Sequence, residues 1–179
     1  MLKGQPVIQI AYVVDDVRKA AERHHALYGS GPFFVQDHYR LRLNYRGDDV
    51  DYVHSAAFGQ WGGLQVELMQ QHDSLPSIIN ETHPLGSGRY GLHHVAMIAD
   101  DLDSAIRDLE VAGHPVVLEG RLPELNMRTI MADAQATHGH FIEVYSRVPA
   151  IENFYRRVAE AAKGFDGTNL LRPMSEAMH

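Results

Sequence analysis

The chain contains no cysteine. Disulfides, thiolate nucleophiles and cysteine-based zinc sites are thereby excluded, so any bound metal must be held by oxygen and imidazole ligands. Long apolar runs are missing too. No stretch approaches the roughly 20 residues a membrane span needs, and the opening Met1-Leu2-Lys3-Gly4-Gln5-Pro6 lacks the apolar centre of a signal peptide. A soluble cytoplasmic protein with no membrane partner is the expectation. Cations are in the minority, 16 Lys and Arg against 23 Asp and Glu, for a formal charge of −7. Phosphate recognition needs clustered cations. The one modest cluster, Arg40, Arg42 and Arg46, reads equally well as a solvated strand face, and no nucleic-acid partner is expected.

What is present is enough for one sizeable core: 179 residues, 45% of them hydrophobic, fit a single fold or two small modules sharing a core. Histidine is abundant, with 12 copies. Most of them (His24, His25, His38, His72, His83, His114, His138 and His179) sit in polar or turn-like contexts, where surface exposure is expected.

The chain repeats itself. Ala11-Tyr-Val-Val-Asp-Asp-Val17 returns as Ala96-Met-Ile-Ala-Asp-Asp-Leu102, and such self-similarity marks a duplicated structural unit. In each copy a β-branched, aromatic run meets an Asp pair, which predicts a strand feeding a helix capped by Asp16 in the first copy. The first helix runs from Val17 to about Tyr28. The second carries Leu102, Ala105, Ile106 and Leu109 on one stripe and closes at Gly113 in a left-handed conformation. Alternating segments then predict strands at 33–35, 39–45, 53–58 and 64–70 in the first half, and at 115–119, 128–132 and 140–145 in the second. The fold class expected is α+β, with two βαβββ modules forming a cupped, partly open mixed sheet. The modules span 7–71 and 91–147, joined by a linker over 72–90. A helix over 148–165 follows, opened by Pro149 and striped by Ile151, Phe154, Tyr155 and Val158. The polar tail, 166–179, is expected to be mobile or packed on a partner subunit.

Equivalent positions of the copies carry side chains able to bind metal. Gln9 and His94 precede the repeated motif, while Glu67 in Leu64-Gln-Val-Glu-Leu68 and Glu143 in His140-Phe-Ile-Glu-Val144 each stand alone on an apolar strand. A buried, unpaired carboxylate costs several kcal/mol. Each residue by itself reads as a solvated or satisfied side chain, but four at matched positions of a duplicated unit point to convergence on one cation. One imidazole, one amide oxygen and two carboxylates leave two positions open on an octahedral ion for neighbouring substrate oxygens. His93 and His140 alternate onto the opposite face and are left out of the set.

The strand starts "AYVVDDV" and "GLHHVAMIADDLDSAI" and the ends Gln65-Val-Glu-Leu68 and Gly139-His-Phe-Ile-Glu-Val144 resemble the vicinal oxygen chelate superfamily, over residues 7 to 147. The resemblance is greatest to its glyoxalase-like and methylmalonyl-CoA-epimerase-like members. It implies that Gln9, Glu67, His94 and Glu143 hold one divalent ion, Zn or Ni ahead of Co, Mn or Mg, at the mouth of the cup. It further implies a lyase or isomerase that takes a proton from carbon next to a carbonyl and stabilises an enediolate or enolate, with Glu143 as general base and Glu67 as second base or reprotonating acid. The Gln, Glu, His, Glu set resembles that of eukaryotic-type glyoxalase I, whereas the extradiol dioxygenases of the family use two His and one carboxylate. The family's bleomycin-resistance members keep open the alternative of a non-catalytic protein that sequesters small molecules. Arg128, Trp61 and Phe34, together with Phe33, Tyr90 and the Arg40/Arg42 pair, are candidates for contacting a small-molecule substrate. A homodimer is expected from the family habit of associating through cupped sheets and from the apolar stripe of the last helix.

Overall fold

The structure, a computed structural model, describes residues 2–178, with Glu124 in its backbone only. His179, expected at the surface, lies outside the described residues. The first strand, β1 (Gln9–Val13), runs into α1 (Val17–Tyr28), whose N-terminus is capped by the Asp16 carboxylate accepting from the Arg18 and Lys19 amides. Gly29, at φ 68°, ends the helix in the left-handed region that glycine adopts freely. There follow β2 (Phe33–Tyr45), β3 (Asp48–Trp61) and β4 (Leu64–Gln71). After α2 (Ile78–Thr82), the second copy repeats the order with β5 (Gly91–Ala99), α3 (Leu102–Val111), β6 (Val116–Leu122), β7 (Met127–Asp133) and β8 (Phe141–Ser146).

These strands form one sheet in the order β3-β4-β1-β5-β8-β7-β6-β2, extended by a ninth strand on β2. Within each copy the first and last strands pair in parallel, β1 with β4 and β5 with β8. The copies meet where β1 and β5 pair antiparallel. The sheet also closes on itself, since β2 pairs with β3 along its length and with β6 through Asn44–Tyr45 against Leu118–Glu119. On the outer face α1 buries Val17, Ala20 and Ala21 against Phe33, Val66 and Leu68, and α3 buries Leu102, Ala105 and Leu109 against Ile130 and Val144. Each large apolar side chain fully removed from water contributes roughly 1.5–3 kcal/mol. Phe33 and Ile130, both at 0% exposure, anchor these two layers.

The concave face is filled from both ends. Ile78 and Ile79 of α2 plug one end against Tyr52, Met69 and Phe141. Over the other lies α5 (Pro149–Ala161), its Ile151 packed with Ile98 and Met127, and its Val158 with Phe34.

Several elements depart from the sequence pattern. The runs 33–35 and 39–45 are one strand, joined through a register shift between Gln36 and Tyr39 where His38 takes φ 49°. The linker holds α2, capped by Ser77 accepting from the Asn80 amide, and two short turns, Pro123–Leu125 and α4 (Gln135–His138), interrupt the second copy. The tail, expected to be mobile or packed on a partner subunit, packs on its own chain. Its β9 (Leu171–Pro173) pairs in parallel with Phe33–Val35 of β2, and α6 (Ser175–Met178) buries Ala177. His114, expected at the surface, is buried at 7% exposure. No helix of the described residues is long and apolar enough to cross a membrane.

Candidate metal centre

Strand register brings the two copies' polar side chains together. Across the four central strands, Ala11 of β1 pairs with Glu67 of β4 and with His94 of β5. One step along, Gln9 pairs with Gln65 and Ala96, and Ala96 pairs with Glu143 of β8. Paired residues share a face of the sheet, so all these side chains enter the concave interior. The two alanines in these rows are small enough to leave space where the longer side chains meet. Both are completely buried.

His94 stands at the centre, its Nε2 3.1 Å from Glu143 Oε2 and 3.5 Å from Glu67 Oε2. One ligand atom from each of the three lies within 4.8 Å of the others, which makes them a group able to hold a metal ion. Their side chains are 1% (His94), 8% (Glu67) and 7% (Glu143) exposed. The site is therefore enclosed, not at an open mouth. Thr129 of β7 donates its hydroxyl to Glu143 Oε1 at 3.0 Å and leaves Oε2 as the oxygen facing His94. Gln9 donates Nε2 to Gln65 Oε1 at 2.5 Å, while its own Oε1 is buried with no partner.

The neighbouring His93 decides what His94 presents. His93 Nε2 lies 3.2 Å from the Ile78 carbonyl, which can only accept, so that nitrogen carries a proton. Burial, and then the charge of His94, hold the His93 pKa well below the usual histidine value, so the ring is neutral and its Nδ1 is a bare acceptor. That Nδ1 is 2.9 Å from His94 Nδ1. His94 must then carry its proton on Nδ1, and its Nε2 is left to face the two glutamates. A lone pair aimed at two carboxylates is repelled by both, so the arrangement calls for a cation between them. Without a metal the cation is a proton: burial opposes charging His94, but Glu143 and Glu67 outweigh it and raise its pKa to about 9. His94 Nε2 nonetheless makes no aligned hydrogen bond to either carboxylate. The short contact without alignment, together with the orphaned Gln9 oxygen, fits the coordination sphere of a hard or borderline divalent ion.

Tyrosines complete the surroundings. Tyr52, Tyr145 and Tyr155 have raised pKa values, from burial first and then from the negative charge of Glu143 and Glu67, so all three are neutral phenols beside the acidic pair. The Tyr155 hydroxyl, carried by α5, is buried without a partner. Tyr145 could be found from sequence, because it lies two residues after Glu143 on the same strand face. Tyr155 and Tyr52 carry no such local signal.

Other candidate residues lie elsewhere. Arg128 alternates to the outer face, where its Nη1 pairs with Asp103 of α3 at 2.7 Å. Trp61 packs outside the cup against His24 and Tyr28, ring centroids 5.0 and 4.8 Å away. Phe33 is buried in the same outer layer, and Tyr90 is half exposed. Phe34 does enter the interior but is sealed beneath Val158 and Ala177. Arg40 and Arg42 pair with Asp51, and Arg46 joins Glu81 to Asp133, so this basic trio is spent on surface ion pairs. His140 points its Nδ1 at the Phe141 carbonyl, away from the three metal-binding candidates.

Residues 8–130 match the family model of the glyoxalase/bleomycin resistance protein/dioxygenase superfamily. Among solved structures, the chain is similar to the methylmalonyl-CoA epimerase of Mycobacterium tuberculosis, with 22% identity, a TM-score of 0.54, and coverage of 85% of this chain and 96% of that one. It is similar also to a hypothetical protein from Bacillus halodurans, with 13% identity, a TM-score of 0.53, and coverage of 81% and 96%. At these identities the likeness concerns the fold. No curated protein matches the sequence.

Proposed function

The chain belongs to the glyoxalase/bleomycin resistance protein/dioxygenase superfamily, and on that premise we propose that it is a divalent-metal-dependent isomerase or lyase that moves a proton next to a carbonyl. The observation that carries this reading is His94 Nε2, buried between two carboxylates at 3.1 and 3.5 Å with no aligned hydrogen bond. Glu67, His94 and Glu143 would hold the ion, with the Gln9 amide oxygen as a fourth ligand. When bound, a divalent ion supplies Lewis-acid stabilisation of negative charge developing on a substrate oxygen, an effect of several kcal/mol.

The chain's own groups supply the proton traffic. Glu143, tethered through Oε1 by Thr129, offers its other oxygen as the base. Glu67 is the partner acid: burial raises its pKa, and His94 offsets this only in part, so it takes up a proton more readily than an exposed carboxylate and can return it to carbon. The neutral phenols of Tyr145 and Tyr155 donate hydrogen bonds to an anionic substrate oxygen and exclude water.

The test couples metal analysis to solvent-deuterium exchange. Protein purified without chelator, or supplied with Zn, Ni, Co or Mn, should hold about one ion per chain. It should also exchange the activated carbon proton of methylmalonyl-CoA or of the methylglyoxal–glutathione adduct. The second reading, a sequestering protein of the same fold, is favoured by the enclosure of the site beneath α5. Absence of both metal and exchange, with tight small-molecule binding, would establish it.

A further inference from the structure

Beside the enclosed centre lies a cavity of about 360 Å³, inside the range of roughly 300–1,000 Å³ typical of small-ligand sites. Its walls are Phe58 of β3, Met127 of β7, and Ile151 and Phe154 of α5, with Leu125 from the turn before β7. One charged side chain lines it, Arg157 of α5, which makes no ion pair among the described residues. The inner wall abuts the proposed metal centre. Phe58 is the cross-strand partner of Glu67, and its ring meets that of Phe154 edge-on at 5.3 Å. On the other flank Met127 and Ile151 belong to the same cluster as Tyr145 and Tyr155, the two phenols beside Glu143. An apolar chamber thus has the acid pair behind one wall and, at its lining, a guanidinium with no ion-pair partner among the described residues. Helix α5, which supplies Arg157, lies beyond the segment that matches the family model, residues 8–130.

We propose that this cavity receives a small organic acid with an apolar body, its anionic group on Arg157 and its reactive carbonyl directed past Phe58 toward Glu67 and Glu143. An Arg side chain fixes a carboxylate through two parallel N–H donors. The surrounding methionine, isoleucine and phenylalanine side chains favour an aliphatic or aromatic body over a sugar or nucleotide. The proposal rests on the function proposed above only in treating the bound acid as substrate.

Binding can be measured without turnover. Octanoate should displace anilinonaphthalene sulfonate fluorescence from the full-length protein, with and without chelator. Arg157→Gln should weaken octanoate at least about tenfold, while octanol, which lacks the charge, changes less than about twofold. Arg156→Gln on the same helix, not a lining residue, should leave both unchanged, and Ile151→Trp should exclude both by filling the chamber. Thermal melts of each variant check that the fold is kept. Failure of octanoate to bind, or equal loss with Arg156→Gln and Arg157→Gln, overturns the proposal. Metal titration of the same samples reports separately on the metal centre, so octanoate binding without metal would remove the enzymatic reading and leave the pocket, and metal without octanoate the reverse.

Discussion

His93 and His94 face each other through their Nδ1 atoms at 2.9 Å. A residue that periodicity sends to the other side of the strand thereby fixes the tautomer of the central candidate ligand. Partners of this kind are typically worth 10- to 100-fold in metal affinity. Replacing His93 with Leu removes the acceptor and leaves the His94 N–H buried and unpaired. Zn or Ni affinity, read by calorimetric titration, should fall by about that factor, and His93→Gln, which keeps an acceptor, should recover part of it. Unchanged affinity in the Leu variant would remove His93 from the site.

Stability of the metal-free protein should decline as pH rises. The folded-state pKa of His94 is raised from 6.5 to about 9, and that of Glu67 is raised above 4.5. In each case the folded chain keeps a proton that the unfolded chain has given up. The His94 contribution is therefore complete below 6.5 and lost as pH passes through about 9. Glu67 acts with the same sign at lower pH. The melting temperature should drop by roughly 5–10 °C across the His94 window. A saturating divalent ion should flatten the drop, because it replaces the proton and binds more tightly as pH rises. A metal-free melting temperature that is level or climbs over this window contradicts the assignment.

The two glutamates should separate in kinetics. Glu143→Gln should slow solvent exchange of the substrate proton by about two to four orders of magnitude while metal is largely kept. Thr129→Val should lower turnover by a smaller factor, about tenfold, since it frees Glu143 Oε1, and Thr129→Ser, which keeps the hydroxyl, should restore it. Equal activity of the Val and Ser variants would show that the Thr129 hydroxyl has no part in positioning Glu143.

Gly120 sets the position of Thr129. A Cβ at Gly120 would lie 2.9 Å from Thr129 Cγ2 and 3.2 Å from Leu43 Cδ2, too close for a packed strand. Gly120→Ala should cost about 1–3 kcal/mol. The cost should shrink in a Thr129→Ser background, where Cγ2 is gone, and a double-mutant cycle of denaturant unfolding reads the coupling. Additive costs would locate the strain elsewhere.

Much of this molecule is legible along the chain. The period-2 placement of Gln9, Glu67, His94 and Glu143 on one face is local, as are the Asp16 cap of α1 and the left-handed Gly113 that follows α3. The distinction between Arg128 and Thr129 was also within reach of the alternation rule: Thr129, opposite Tyr145 and one strand from Glu143, faces inward, and Arg128 does not. Other features were not legible. Ile78 and Ile79 sit in a segment without period, so α2 could not be read as the plug of the cup. Leu170 and Leu171 look like an isolated apolar pair until β9 is seen on the edge of β2.

The sequence by itself determined the duplication, the residue types available to a metal and the faces from which they project, because each follows from spacings of a few residues along one strand. Tertiary structure decided how those faces meet. It closed the sheet through Tyr45 and Leu118, laid α5 over the acidic pair, and wired His93 to His94. These outcomes depend on packing between segments far apart in the chain, where burial and hydrogen-bond satisfaction choose among arrangements that local patterns leave equal.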